Sequence, residues 1–137
     1  MLTCIPGCLQ FGNDIELKGD QIEPATLEQI TATTGVSFPE GTIGMNYFFQ
    51  GSGIDDALWF KASIPTEKKD EFLKNEIFSH KDEQPNHNMT SDMDWWKIDE
   101  LKEASNYSST INTNEFLGCS IGSESNEVIV CLLWFST

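Results

Sequence analysis

The chain has 137 residues, 39% hydrophobic and 11% aromatic, which suits one domain with one core and excludes long disorder. Eight lysines and no arginine stand against 22 acids, a net charge of −14. Such a field repels phosphate backbones and anionic headgroups, and the chain has no guanidinium fork for phosphate or guanine, so nucleic-acid binding is disfavoured.

The acids are unevenly spread: residues 1–56 hold eight of them against one lysine, a net of −7. A basic protein, a metal ion or a cationic ligand suits this charge, and solubility alone accounts for it as well. No stretch approaches the ~20 apolar residues needed to cross a bilayer, so the chain is not expected to span a membrane. It also has no basic region leading into a long apolar run, so it is expected either to be cytosolic or to start after a removed leader. Four cysteines, Cys4, Cys8, Cys119 and Cys131, allow three pairings. The Cys4–Cys8 spacing has one residue too many for a redox or zinc Cys-x-x-Cys. Two structural disulfides in an oxidising compartment are the preferred reading, with free buried thiols in a cytosolic protein as the alternative.

In chain order, residues 1–24 read as a loosely attached segment with a short strand somewhere between Leu9 and Leu17. Thr26 followed by Gln29 fits a capping box, and Gly35 supplies a stop, which predicts a helix near 26–34. Ile43 to Gln50 reads as a strand with Met45, Tyr47 and Phe49 on one face. Gly51-Ser52-Gly53 permits a turn into a second strand at 57–64, an antiparallel hairpin. Period two puts Leu58, Phe60, Ala62 and Ile64 on its inner face, and Ala57, Trp59, Lys61 and Ser63 on the other. Pro65 ends that strand, and Glu67 to Phe78 reads as a charged helix with Phe72, Leu73 and Ile77 inward. Residues 79–90 read as a polar loop, and a short helix is expected around 97–104 with Ile98 and Leu101 inward. A further strand is expected at 106–111. Phe116–Ile121 and Val128–Phe135 form a second hairpin across a five-residue connection at 122–126. The last run is apolar on both faces and belongs at the centre of a sheet. The expected fold is a single α+β domain over 1–137, an antiparallel sheet with two or three helices packed on it.

These placed motifs resemble a group of small, mostly uncharacterised bacterial exported proteins and lipoproteins. The resemblance rests on Phe38-Pro39, Tyr47, Gly53-x-Asp55-Asp56-Ala57-x-x-x-Lys61, Ile64-Pro65, Phe72-Leu73, Trp95-Trp96 and Trp134-Phe135, and covers roughly residues 36–135. Met1-Leu2-Thr3-Cys4 also resembles the end of a lipoprotein signal, with Thr3 departing from the usual small residue. The resemblance implies an exported, cell-envelope location. It brings no activity, cofactor or catalytic residue.

Asp55-Asp56 is the most conspicuous acidic pair. Acid–base work needs two carboxylates converging on one atom, and neighbours on a strand diverge, so turn chemistry is the plainer reading. Lys61 shares Asp55's parity, and a surface ion pair accounts for it. His80, Asp82, His87, Asp92 and Asp94 fit no known metal-ligand spacing, so a solvated loop is preferred and no metal or cofactor is expected. No nucleophile elbow or phosphate loop occurs, and a catalytic site is not expected. Trp95-Trp96 with Asp92 and Asp94, flanked further by Asp99 and Glu100, is the candidate binding surface, Asp55 and Asp56 being further binding candidates, with core packing expected for at least one tryptophan. The expected function is a non-enzymatic exported domain that binds another protein or an envelope component. The alternative is an acidic immunity protein that neutralises a basic toxin.

Overall fold

A computed structural model describes residues 14–51, 55–81, 91, 93–112 and 114–136. Their order is β1 (Ile15–Lys18), α1 (Pro24–Thr34), β2 (Ile43–Gln50), β3 (Asp56–Ile64), α2 (Lys69–Phe72), β4 (Lys102–Asn112), β5 (Glu115–Glu124) and β6 (Glu127–Ser136), with short 3-10 turns between. The described strands form one antiparallel sheet of six in the order β1-β2-β3-β6-β5-β4. Two three-stranded meanders are thus joined by the β3–β6 ladder. The class is α+β, but the fold is mostly sheet. Among the described residues the α-helices are one of eleven residues and one of four.

β6 holds the centre, as its sequence requires: every residue from Val128 to Trp134 is buried. The sheet therefore has two cores. On one face Leu58, Phe60, Ala62 and Ile64 of β3 join Val128, Val130 and Leu132 of β6, Ile30 of α1 and Phe72 of α2. Phe60 is fully buried there, edge-on to Phe38 and Tyr47. On the other face Ile129, Cys131 and Leu133 lie under Trp96 and Leu101.

α1 starts two residues earlier than expected, because Pro24 fits the first helical position, where its missing N–H costs nothing. It stops at Gly35, as read from the sequence, with φ of 80° and its N–H donated to the Thr31 carbonyl at 2.8 Å. β2 has the expected bounds, but a bulge between Gly44 and Asn46 gives it one extra residue. Met45 therefore packs into the second core while Tyr47 and Phe49 pack into the first, so the three do not share a face.

The helix expected over 67–78 is broken. A 3-10 turn (Thr66–Lys68), α2 and a second 3-10 turn (Glu76–Ser79) take its place. Asn75 is the reason. Its side chain accepts from the Ser37 N–H at 2.8 Å and donates to the carbonyls of Ser37 and Phe72 at 2.9 and 2.8 Å. That ties the segment to the loop after α1 in place of a continuing helix. Phe72 and Ile77 still reach the core, and Leu73 packs partly against it.

Within the segment expected to be loosely attached, β1 pairs with β2 from Ile15↔Phe49 to Lys18↔Asn46, and Leu17 and Ile22 pack on the core. The helix expected at 97–104 is one 3-10 turn, Ile98–Glu100, and β4 begins at Lys102. The second hairpin turns on two residues, not five: Glu124 faces Glu127, and Ser125 and Asn126 have φ of 52° and 65°. Two positive φ values are the signature of a type I′ turn, whose twist matches the strands.

Candidate functional site

The tight turn decides the cysteines. Paired positions place Cys119 opposite Leu132 and Cys131 opposite Ser120. Cys119 therefore points into the first core and Cys131 into the second, and both are free thiols. The structural disulfides expected from the four cysteines are corrected for Cys119 and Cys131, since side chains on opposite faces of a sheet cannot be bridged to each other. Cys4 and Cys8 lie outside the described residues.

The second face carries a polar row from β2 to β4. The register aligns Asn46, Lys61, Cys131, Ser120 and Asn106 on neighbouring strands. Ser120 is fully buried and donates its hydroxyl to Asn106 Oδ1 at 2.6 Å. Lys61 is only 6% exposed. Its ammonium lies 3.3 Å from Glu124 Oε1 and donates to the Trp95 carbonyl at 3.4 Å. The expected surface ion pair is thus corrected: this lysine is buried and its carboxylate partner is on β5. Burial pushes the Cys131 thiol up to about 12, the Lys61 charge pulling it down and the Glu124 charge adding to the rise. Cys131 is a protonated thiol at neutral pH, the opposite of an activated nucleophile.

Lys61 supports the Trp95-Trp96 segment from below. The Trp95 carbonyl also accepts from the Lys97 N–H, and the Trp96 N–H donates to Met93, both at 3.1 Å. These bonds hold a turn over the sheet. Trp96 is 5% exposed and packs on Leu101, Ile129, Cys131 and Leu133. Trp95 stands edge-on to it, centroids 5.9 Å apart at 80°, and is half-buried. The expectation that at least one tryptophan joins the core is met by Trp96. The segment returns to the sheet over Gly122. A Cβ there would lie 2.8 Å from the Lys102 carbonyl and 3.0 Å from Leu101 Cβ, so only glycine lets the crossing strand this close.

Asp94, Asp99 and Glu100 are exposed around this turn, and Asp92 lies outside the described residues. Asp55 is an exposed residue before β3, and Asp56 opens the strand opposite Ser136. Five strand residues, roughly 16 Å, separate Asp56 from Lys61, so the Asp55–Asp56 pair sits away from the Trp95 carbonyl. Among the described residues no group of three or more metal-ligating side chains occurs. His80 lies 3.8 Å from Glu76, and Asp82 and His87 fall outside the described residues.

A second feature was not visible in the sequence. A pocket of about 450 Å³ opens between the end of α1, the turn after Asn75, and strands β4 and β5. Its floor is Val36, Ile77 and Leu117, and Glu76, His80 and Thr110 stand at its mouth. These residues are scattered along the chain with no shared spacing, and only the fold gathers them.

No protein-family model, curated protein or solved structure matches this chain. No described helix is long and apolar enough to cross a membrane.

Proposed function

We propose that the chain is a non-enzymatic, exported binding domain that recognises a protein or cell-envelope partner through the surface around Trp95. One observation carries the reading. Trp95 is partly buried, packed beside its buried neighbour Trp96 and fixed by the ammonium of Lys61 on its carbonyl, and it keeps part of its ring at the surface, with Asp94, Asp99 and Glu100 exposed beside it. A rigid aromatic within a charged rim is the usual anatomy of a strong interface. The charge steers encounter with a basic partner, and the aromatic sets the lifetime of the complex. The net charge of −14 also supports a second reading, an acidic immunity protein that captures a basic toxin by the same surface.

The test is capture of the partner from the native organism, followed by binding kinetics with variants. Asp94→Lys slows association and weakens its salt dependence, and Trp95→Ala mainly raises dissociation. A partner that binds both variants as it binds the wild type places the interface elsewhere. A toxic, basic partner selects the second reading. Cell fractionation tests export independently.

A further inference from the structure

The pocket beside β4 has the volume of a small-molecule site, and its rim favours one charge of ligand. Its volume of about 450 Å³ falls within the roughly 300–1,000 Å³ of ligand pockets. The floor of Val36, Ile77 and Leu117 is apolar and buried. The mouth is polar, and its one acidic side chain among the described residues, Glu76, lies 3.8 Å from His80 Nε2 on the same rim. Glu76 is 91% exposed at its side chain, and among the described residues no lysine lines the pocket. The final turn of α1, capped by Gly35, abuts it and adds the partial negative charge of a helix carbonyl end.

The edge strand contributes neutral hydrogen bonding. The Ser108 N–H points away from β5 and donates to the His80 carbonyl at 3.0 Å. Backbone direction alternates along a strand, so the N–H and C=O of Thr110 face the same way, at the pocket mouth. The acidic field of the whole chain concentrates cations at such an opening.

We propose that this pocket binds a small organic cation, with an apolar body on the Val36–Ile77–Leu117 floor and a protonated amine at Glu76 and the carbonyl end of α1. The site is separate from the Trp95 surface and does not depend on it.

The test is a titration of the ¹⁵N-labelled full chain with 2-phenylethylammonium, compared with 2-phenylethanol, which keeps the ring and replaces the charge by a hydroxyl. Saturable shifts of the Gly35, Val36, Ile77, His80 and Leu117 amides are expected with the ammonium, and binding of the alcohol is expected to be about fivefold weaker or less. Glu76→Gln, at an exposed position, weakens the ammonium by about two- to fivefold and leaves the alcohol unchanged. Thr110→Trp, on the exposed edge, fills the mouth and removes both. Shifts that do not saturate, that gather at other residues, or that Glu76→Gln leaves unchanged for the ammonium overturn the proposal.

Discussion

Cys131 and Cys119 sit in different cores, and their burial has a consequence for stability at high pH. Burial raises both thiols, Cys131 to about 12, and burial raises Tyr47 as well. Above the ordinary thiol value of 9.0 an unfolded chain sheds these protons while the folded chain keeps them. The thiol contribution is therefore fully present below about pH 9 and is lost as pH rises toward 12. Urea titrations across that range should show the decline, and Cys119→Ala with Cys131→Ala should lessen it, leaving the part above about pH 10 that Tyr47 supplies. A native protein whose stability is level through the window would place these thiols in contact with solvent. Lys61 gives a second expectation at the same scale. Its ammonium is buried on Glu124 and the Trp95 carbonyl, so Lys61→Met, which keeps the volume, is expected to change stability by no more than about 1–2 kcal/mol. Lys61→Ala empties the space and is expected to cost more, with Trp95 fluorescence shifted in both variants. Equal losses for the two would mean that the charge, not the packing, holds the segment.

Among the elements, Asn75 separates two views of the 66–79 segment. Helix propensity alone makes Asn75→Ala stabilising by about half a kcal/mol. The structure makes it destabilising, by about 1–3 kcal/mol, because three hydrogen bonds to Ser37 and Phe72 are lost and their partners are left without them. Denaturant titration decides by the sign alone. The β5–β6 turn gives a change in the other direction. Ser125 and Asn126 both hold positive φ, so replacing the pair by Asn-Gly suits the turn better and is expected to stabilise by up to about 1 kcal/mol. No gain in melting temperature would argue against the two-residue turn, and with it against the register that separates the cysteines. Phe60→Ala tests the first core itself: the ring is fully buried at the centre of β3, and its loss is expected to cost about 3–5 kcal/mol.

At the scale of the whole molecule, the charge of −14 works against compactness while favouring capture of cations. Raising sodium chloride from about 0.01 M to 0.5 M shortens the screening length severalfold and should raise the melting temperature by several degrees. The same salt should slow association with a basic partner. A melting temperature indifferent to salt would mean that the acids are too dispersed to repel one another, and too dispersed to steer a basic partner.

Much of this architecture is local and could be read from residue order alone. The alternation in β3 selects Leu58, Phe60, Ala62 and Ile64 because side chains on a strand alternate faces whatever lies beyond them. β6 declares its central position because both its faces are apolar, and Gly35 ends α1 by its own backbone freedom. The acidic rim of Asp94, Asp99 and Glu100 beside two tryptophans was likewise legible, though not which ring would be buried. What the tertiary structure decided depends on partners far along the chain. A two-residue turn in place of five changes the pairing parity and sends Cys119 and Cys131 to opposite faces. Asn75 breaks a helix that its own neighbourhood favours because Ser37 is placed beside it. Lys61 reads as a surface residue until the Trp95 segment closes over it and Glu124 arrives from β5. The pocket beside β4 exists only where three distant segments meet, since local patterns encode which way a side chain points and not what the rest of the chain will place in front of it.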